Sequence, residues 1–174
     1  MTNNIKVTVE YTTPKTDAFD ALMAQYEEVK RNATETINYY KPLADMAEET
    51  KILAILDQIA PIKRYLIQLN KLNSNITEIS WYRYSSNGGK CPFEIDLNGN
   101  VKWFGRLFNV DMLKHSTYIF TNRNCEDYNI LGNWDKWNVY AELEERCISM
   151  LKNEIEKRKN EATEQINRLK NITG

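Results

Sequence analysis

Phe19, Tyr26, Ala33, Tyr40 and Ala47 recur every seven residues near one end of this chain, and Ala141, Ile148, Ile155, Ala162 and Leu169 do so near the other. Four heptads at 1.5 Å per residue would give each helix a matched face about 42 Å long. The N-terminal stripe widens to Phe19, Leu22, Tyr26, Val29, Ala33, Ile37 and Tyr40, the three-four spacing of a buried helical face. Pro42 then kinks or ends the helix, because it lacks an amide hydrogen and crowds the preceding turn. Leu53, Leu56, Ile59, Leu66 and Leu69 continue the helical period past Pro61. Residues 16–72 are therefore expected to be helical in two or three pieces, capped at the start by Thr16 or Asp17.

Ahead of this stretch, Ile5, Val7, Val9 and Tyr11 alternate with polar residues, the period of a half-buried strand over 4–11. Period two returns after Asn73–Asn75, with strands expected around Ile79–Tyr84, Cys91–Leu97 and Val101–Leu107. Asn87-Gly88-Gly89 marks one turn and Asn98-Gly99 another. A two-residue Asn-Gly turn would set Ile95 against Lys102 and mix the faces. A three-residue loop with left-handed Gly99 instead pairs Ile95 with Val101, Phe93 with Trp103 and Glu94 with Lys102. Asp96 and Gly99 then hold the first and fourth places of a type I turn, where both are favoured. Ser116–Phe120 reads as a further short strand, 122–133 as a polar loop, and 134–171 as a long helix capped by Asn133 or Asp135. The expected fold is α+β in one domain spanning 1–174: a long antiparallel helical hairpin or bundle, coiled-coil-like, with a small antiparallel sheet of three or four strands inserted within 78–120.

Composition narrows the function classes. The 23 basic and 24 acidic residues nearly cancel. They also cancel locally: nine and ten over 1–75, six and six over 76–133, eight and eight over 134–174. Nucleic-acid binding is disfavoured, since phosphate neutralisation calls for concentrated positive charge. Three cysteines without a C-x-x-C pair point to reduced thiols and a cytoplasmic location. The alternating N-terminus is no signal peptide, no apolar run reaches membrane-spanning length, and the Asn-x-Thr triplets at Asn32, Asn75 and Asn171 are read as chance.

His115 is the only histidine, so paired-histidine catalysis is excluded within one chain. Cys91, Cys125, Cys147 and His115 lack the close knuckle spacing of a structural zinc site, and nothing near Cys125 or Cys91 would activate a thiol toward His115. No phosphate-binding glycine loop occurs. The sequence therefore names no catalytic residue, no metal ligand and no cofactor.

The aromatic segment is more informative. Trp81, Phe93, Trp103 and Leu107 are expected on the core face of the sheet. Tyr82, Tyr84, Phe104 and Phe108 are expected on the other face, beside Arg83, Lys102 and Arg106. Tyrosine and arginine are enriched at protein interfaces, so these seven residues are the candidate partner-binding set. Single-stranded nucleic acid binders also mix aromatics with cations. Glu94 and Asp96 facing Lys102 and Arg106 could hold a divalent ion beside a phosphate, but cross-strand charge pairing on a solvated sheet face explains the same residues and is the preferred reading. The nucleic-acid-binding or nuclease-like reading is therefore the alternative. The C-terminal helix loses apolar width past residue 156, which suits a homodimer contact or another chain.

The expected function is a non-catalytic, protein-binding module that regulates, adapts or inhibits a partner protein. Its charge-balanced, AT-rich composition without catalytic motifs is similar to that of phage and mobile-element accessory proteins. That likeness implies an inhibitor of a host defence nuclease as one concrete form.

Overall fold

The computed structural model describes residues 14–111 and 128–174, with side chains from residue 17 onward. The expected strands at 4–11 and 116–120 lie outside the described residues, as does the first half, 122–127, of the expected 122–133 loop, whose second half contains a helical turn. The elements are helix α1 (Pro14–Gln58), helix α2 (Ala60–Leu72), strands β1 (Glu78–Tyr84), β2 (Lys90–Asp96), β3 (Val101–Trp103) and β4 (Arg106–Leu107), a single turn of helix α3 (Ile130–Asn133), and helix α4 (Val139–Thr173). The layout is α+β, with the small antiparallel sheet in the middle of the chain in the order β1-β2-β3-β4.

Two compact units divide the chain, 1–46 and 47–174. In the first, the described residues are helical throughout, starting at Pro14, whose fixed φ and missing amide suit a first helical position. Pro42 neither ends the helix nor opens a new one. The stripe expected to be buried is exposed: Phe19, Leu22, Tyr26, Val29, Ile37 and Tyr40 each keep 58% or more of their surface.

The second unit holds the core. Ile52 and Ile55 near the end of α1, Ile59 at the junction, and Ile62, Leu66 and Leu69 on α2 are buried. Leu53, placed on that face by sequence spacing, is exposed, because the packed stripe runs one residue earlier. The two helices part at Ile59, so that Pro61 falls in the first turn of α2 where no amide is needed. At its other end Asn73 donates its amide to Leu69 O at 2.9 Å and its side chain to Glu154 Oε1 at 2.8 Å. That side-chain bond ties α2 to α4, the helix it packs beside.

Helix α4 starts at Val139, five residues later than sequence suggests. Asn133 is occupied elsewhere, donating its side chain to Asn129 O at 2.8 Å, and Asn138 enters the helix in a left-handed conformation at φ 51°. The heptad stripe of α4 is not its buried face. Val139, Leu143 and Cys147 are buried, whereas Ile148 and Ile155 are each 47% exposed. Beyond Glu154 every residue of α4 is exposed.

The sheet carries the expected register: Phe93 opposite Trp103, Glu94 opposite Lys102 and Ile95 opposite Val101. Gly99 donates to Asp96 O at 3.0 Å with φ +79°, the three-residue loop inferred from face matching. The same loop recurs between β1 and β2. Gly88 (φ +84°) donates to Ser85 O at 2.9 Å there.

The third connection departs from expectation. Phe104 (φ 53°) and Gly105 (φ 72°) form a two-residue turn that splits the predicted 101–107 strand into β3 and β4. Positive φ at both central positions is the mark of a type I′ hairpin turn. The reversal resets side-chain alternation, so Leu107 is exposed and Phe108 is buried, the opposite of the sequence expectation.

Candidate protein-binding face

Alternation along β1 and β2 sorts the site. Ile79 and Trp81 of β1, with Cys91, Phe93 and Ile95 of β2, point into the core. Tyr82 then pairs with Pro92, Tyr84 with Lys90 and Ser80 with Glu94 on the outer face. Lys102 joins them opposite Glu94. Of the seven candidate binding residues, Tyr82, Tyr84 and Lys102 are therefore together on this face.

The other four are placed differently. Arg83 shares the parity of Trp81, and its guanidinium carbon sits 4.1 Å from the Trp137 ring centre, at the rim of the core. Phe108 is 2% exposed and meets Phe93 edge-on, with ring centres 5.7 Å apart. Neither side chain belongs to the outer face. Phe104 is half-buried in its turn, 4.7 Å from the Trp103 ring centre and 4.9 Å from that of Tyr128. Arg106 is exposed on the short edge strand β4.

Two cations flank the outer face that sequence reading did not assign to it. Lys90 Nζ lies 4.1 Å from the Tyr82 ring centre, and the Arg146 guanidinium carbon lies 5.2 Å from the same centre. Arg146 belongs to α4 and is fixed over the edge of β1 by donating to Ser80 O at 2.7 Å. Lys90 follows from the alternation of β2 and was legible there. Arg146 is 66 residues from Ser80, and no local pattern announces that pairing.

Tyr82 and Tyr84 meet edge-to-face at 5.8 Å, and Tyr84 keeps 63% of its surface exposed. The face thus presents an aromatic pair bordered by Lys90, Lys102 and Arg146 on the basic side and Glu78, Glu94 and Asp96 on the acidic side, three against three.

Of the carboxylates, Asp96 is committed to the turn it starts. Glu94 faces Lys102 across the ladder. Asp96 Oδ1 accepts from the backbone amides of Asn98 at 2.9 Å and Asn100 at 3.0 Å, and Oδ2 from the Asn100 side chain at 3.1 Å. Desolvation opposes ionisation of Asp96, but those hydrogen bonds and the nearby Lys102 outweigh it and hold its carboxyl below the ordinary value. Among the described residues no three His, Cys, Asp or Glu side chains gather as a metal site. Cys91 and Cys147 are buried thiols. His115 and Cys125 lie outside the described residues.

A groove of about 360 Å³ runs between α2 and α4. It is lined by Tyr65, Leu69 and Leu72 on one side and Ile148 and Leu151 on the other, with Cys147 and Glu144 beside them. Burial, with the Glu144 charge adding to it, pushes the Cys147 thiol up to about 11, so this groove holds no activated nucleophile. No helix among the described residues is long and apolar enough to cross a membrane. No family model, curated protein or solved structure matches the chain.

Proposed function

We propose that this chain is a non-catalytic, cytoplasmic protein-binding module that regulates, adapts or inhibits a partner protein, and that it docks through the outer face of its sheet. The observation that carries this reading is the Tyr82–Tyr84 pair, set among equal numbers of acidic and basic groups. Tyrosines supply large, stiff contact area with a polar tip, which is why they anchor protein interfaces. A balanced charge rim suits a protein surface, whereas a nucleic acid groove calls for uncompensated cations. An accessory protein of a phage or mobile element, acting on a host defence nuclease, is one form such a module takes.

The cations around Tyr82 favour one other reading, single-stranded nucleic acid stacked on the tyrosines. One set of measurements separates the two. Immobilised full chain and a Tyr82→Ser/Tyr84→Ser double variant are each offered extract from the source cell. A protein held by the first and lost from the second supports the module, and retention by both overturns the assigned face. Oligonucleotide binding that falls steeply across a salt series would overturn protein docking. Metal-dependent cleavage abolished by Glu94→Ala or Asp96→Ala would overturn the non-catalytic assignment.

A further inference from the structure

The first unit poses a physical problem of its own. From residue 17 to residue 43 every side chain of α1 is exposed, yet Phe19, Leu22, Tyr26, Val29, Ile37, Tyr40 and Leu43 each show half or more of their surface to water. Helices gain most of their stability from a packed apolar face, so a bare one of this length invites a cover.

Its charges are sorted. With Phe19 in the first core position of a heptad, Asp17, Asp20, Glu27, Glu28, Glu35 and Asp45 all fall on the three outward positions. The four positions that face a partner carry a single charge from 18 to 46, Lys30. Such a face meets a copy of itself without acidic repulsion.

The sizes along it are close to palindromic. Core positions read Phe19, Leu22, Tyr26, Val29, then Ala33, Thr36, Tyr40, Leu43: bulky at both ends and small near the middle. Run antiparallel, with core positions alternating between the chains, Phe19 meets Leu43 of the second copy and Leu22 meets its Tyr40. Tyr26 falls on Thr36 and Val29 on Ala33, so large meets small where the helices cross closest. Lys30 approaches its own copy near the axis, with Glu27 one turn away to offset it. The seven half-exposed apolar side chains offer an area on the order of the 800 Å² per partner that a stable complex buries.

We propose that residues 19–43 of α1 are a homodimer interface, pairing antiparallel with the same segment of a second copy of this chain. An isologous contact needs a self-complementary patch, and this face is one. The exposed end of α4 is a poorer candidate, since Arg158, Lys159, Glu161 and Gln165 interrupt its apolar line.

Light scattering of the full chain tests the stoichiometry, and twice 20.5 kDa is expected at micromolar concentration. Val29→Arg should halve that mass while leaving the near-ultraviolet signal of the tryptophan core intact, and Leu151→Arg should leave the dimer alone. Orientation is read by oxidation in a Cys125→Ser background. Asn32→Cys, beside the axis, should cross-link to its own copy, and Tyr40→Cys should not. A monomeric wild type, a mass other than twofold, or a dimer lost with Leu151→Arg and kept with Val29→Arg overturns the proposal. Cross-linking of Tyr40→Cys and not Asn32→Cys overturns the antiparallel pairing.

Discussion

The guanidinium of Arg83 lies 4.1 Å from the ring centre of Trp137, one of three indoles gathered in a cluster. Trp137 lies 5.9 Å from Trp81, Trp81 lies 6.4 Å from Trp103, and Trp103 lies 6.3 Å from Trp137, so the ring centres form a triangle. The Trp81 indole N–H donates to Glu142 of α4, and that of Trp103 donates to Tyr128 O at 3.2 Å. The sheet is thereby fastened to the start of α4 through rings whose polar atoms are satisfied. The outer face owes its position to this cluster, because Tyr82 alternates with Trp81 and Arg83 on a strand so held.

Replacing Arg83 with alanine removes the cation from the Trp137 face and uncovers that ring. A cation–aromatic pair at a partly desolvated site contributes about 0.5–2 kcal/mol, and the lost packing of the arginine stem adds to it. The urea midpoint of the Arg83→Ala variant should fall accordingly, with tryptophan emission shifting to the red. Arg83→Lys, which keeps charge and stem, should retain part of the difference.

Two aromatic residues with equal standing in the sequence should separate sharply on truncation. Phe108 is 2% exposed against Phe93, so Phe108→Ala opens a cavity and should cost about 3–5 kcal/mol. Tyr84 is 63% exposed, and Tyr84→Ala should stay within ~0.5 kcal/mol of wild type. Chemical denaturation of the two variants side by side checks the contrast.

What the sequence disclosed and what it withheld follow from the range of the interactions. Strand register was readable because a one-residue slip would have turned Phe93 and Trp103 to solvent, a penalty visible in the alternation itself. The split at Phe104-Gly105 was not, since a bulky residue at positive φ breaks the rule by which such turns are recognised. Past that turn the parity inverts, which misplaced Leu107 and Phe108. At Arg83 parity prevails over charge: the residue shares a face with Trp81 and lies against Trp137 instead of joining the outer face. On the helices, seven-residue spacing found amphipathic surface but not its cover. Leu143 and Cys147 are buried because α2 and β1 lie beside them, and nothing in the α4 sequence says which face those elements take.

Gly99 adopts φ +79°, and an added Cβ would meet nothing nearer than Lys63 at 3.8 Å. Space is therefore no obstacle, and the cost of Gly99→Ala is conformational. It should be roughly 1–2 kcal/mol, the penalty of holding an L-residue in the left-handed region. Gly99→Asn should cost less, because asparagine tolerates that region better. Thermal unfolding of the two variants should rank wild type above asparagine and asparagine above alanine.

Cys147 gives the alkaline behaviour a defined sign. Burial, followed by the Glu144 charge, raises its pKa from 9.0 to about 11 in the folded chain. The neutral thiol is the form the fold retains, so this contribution to stability is complete below pH 9 and is lost as pH rises toward 11. At pH 8 the native thiolate fraction should be about a hundredfold below that of the unfolded chain. Labelling of Cys147 by a thiol reagent in a Cys91→Ser/Cys125→Ser background should be slow natively and fast in urea. Equal rates in the two conditions would contradict the buried placement.

The end of α4 should be dispensable for the stability of the second unit. Every residue after Glu154 is exposed, and the ion pairs there are open to solvent: Arg158 with Glu161 at 3.9 Å and Arg168 with Glu164 at 3.7 Å. Exposed pairs of this kind contribute about 0–1 kcal/mol and are screened by salt. Asn73, which bonds Glu154, keeps its partner in a chain truncated after Lys157. The urea midpoint of that truncated chain, followed by tryptophan fluorescence, should match wild type within about 0.5 kcal/mol. A larger loss would place a stabilising contact on residues 158–174, and its disappearance on dilution would identify that contact as lying between chains.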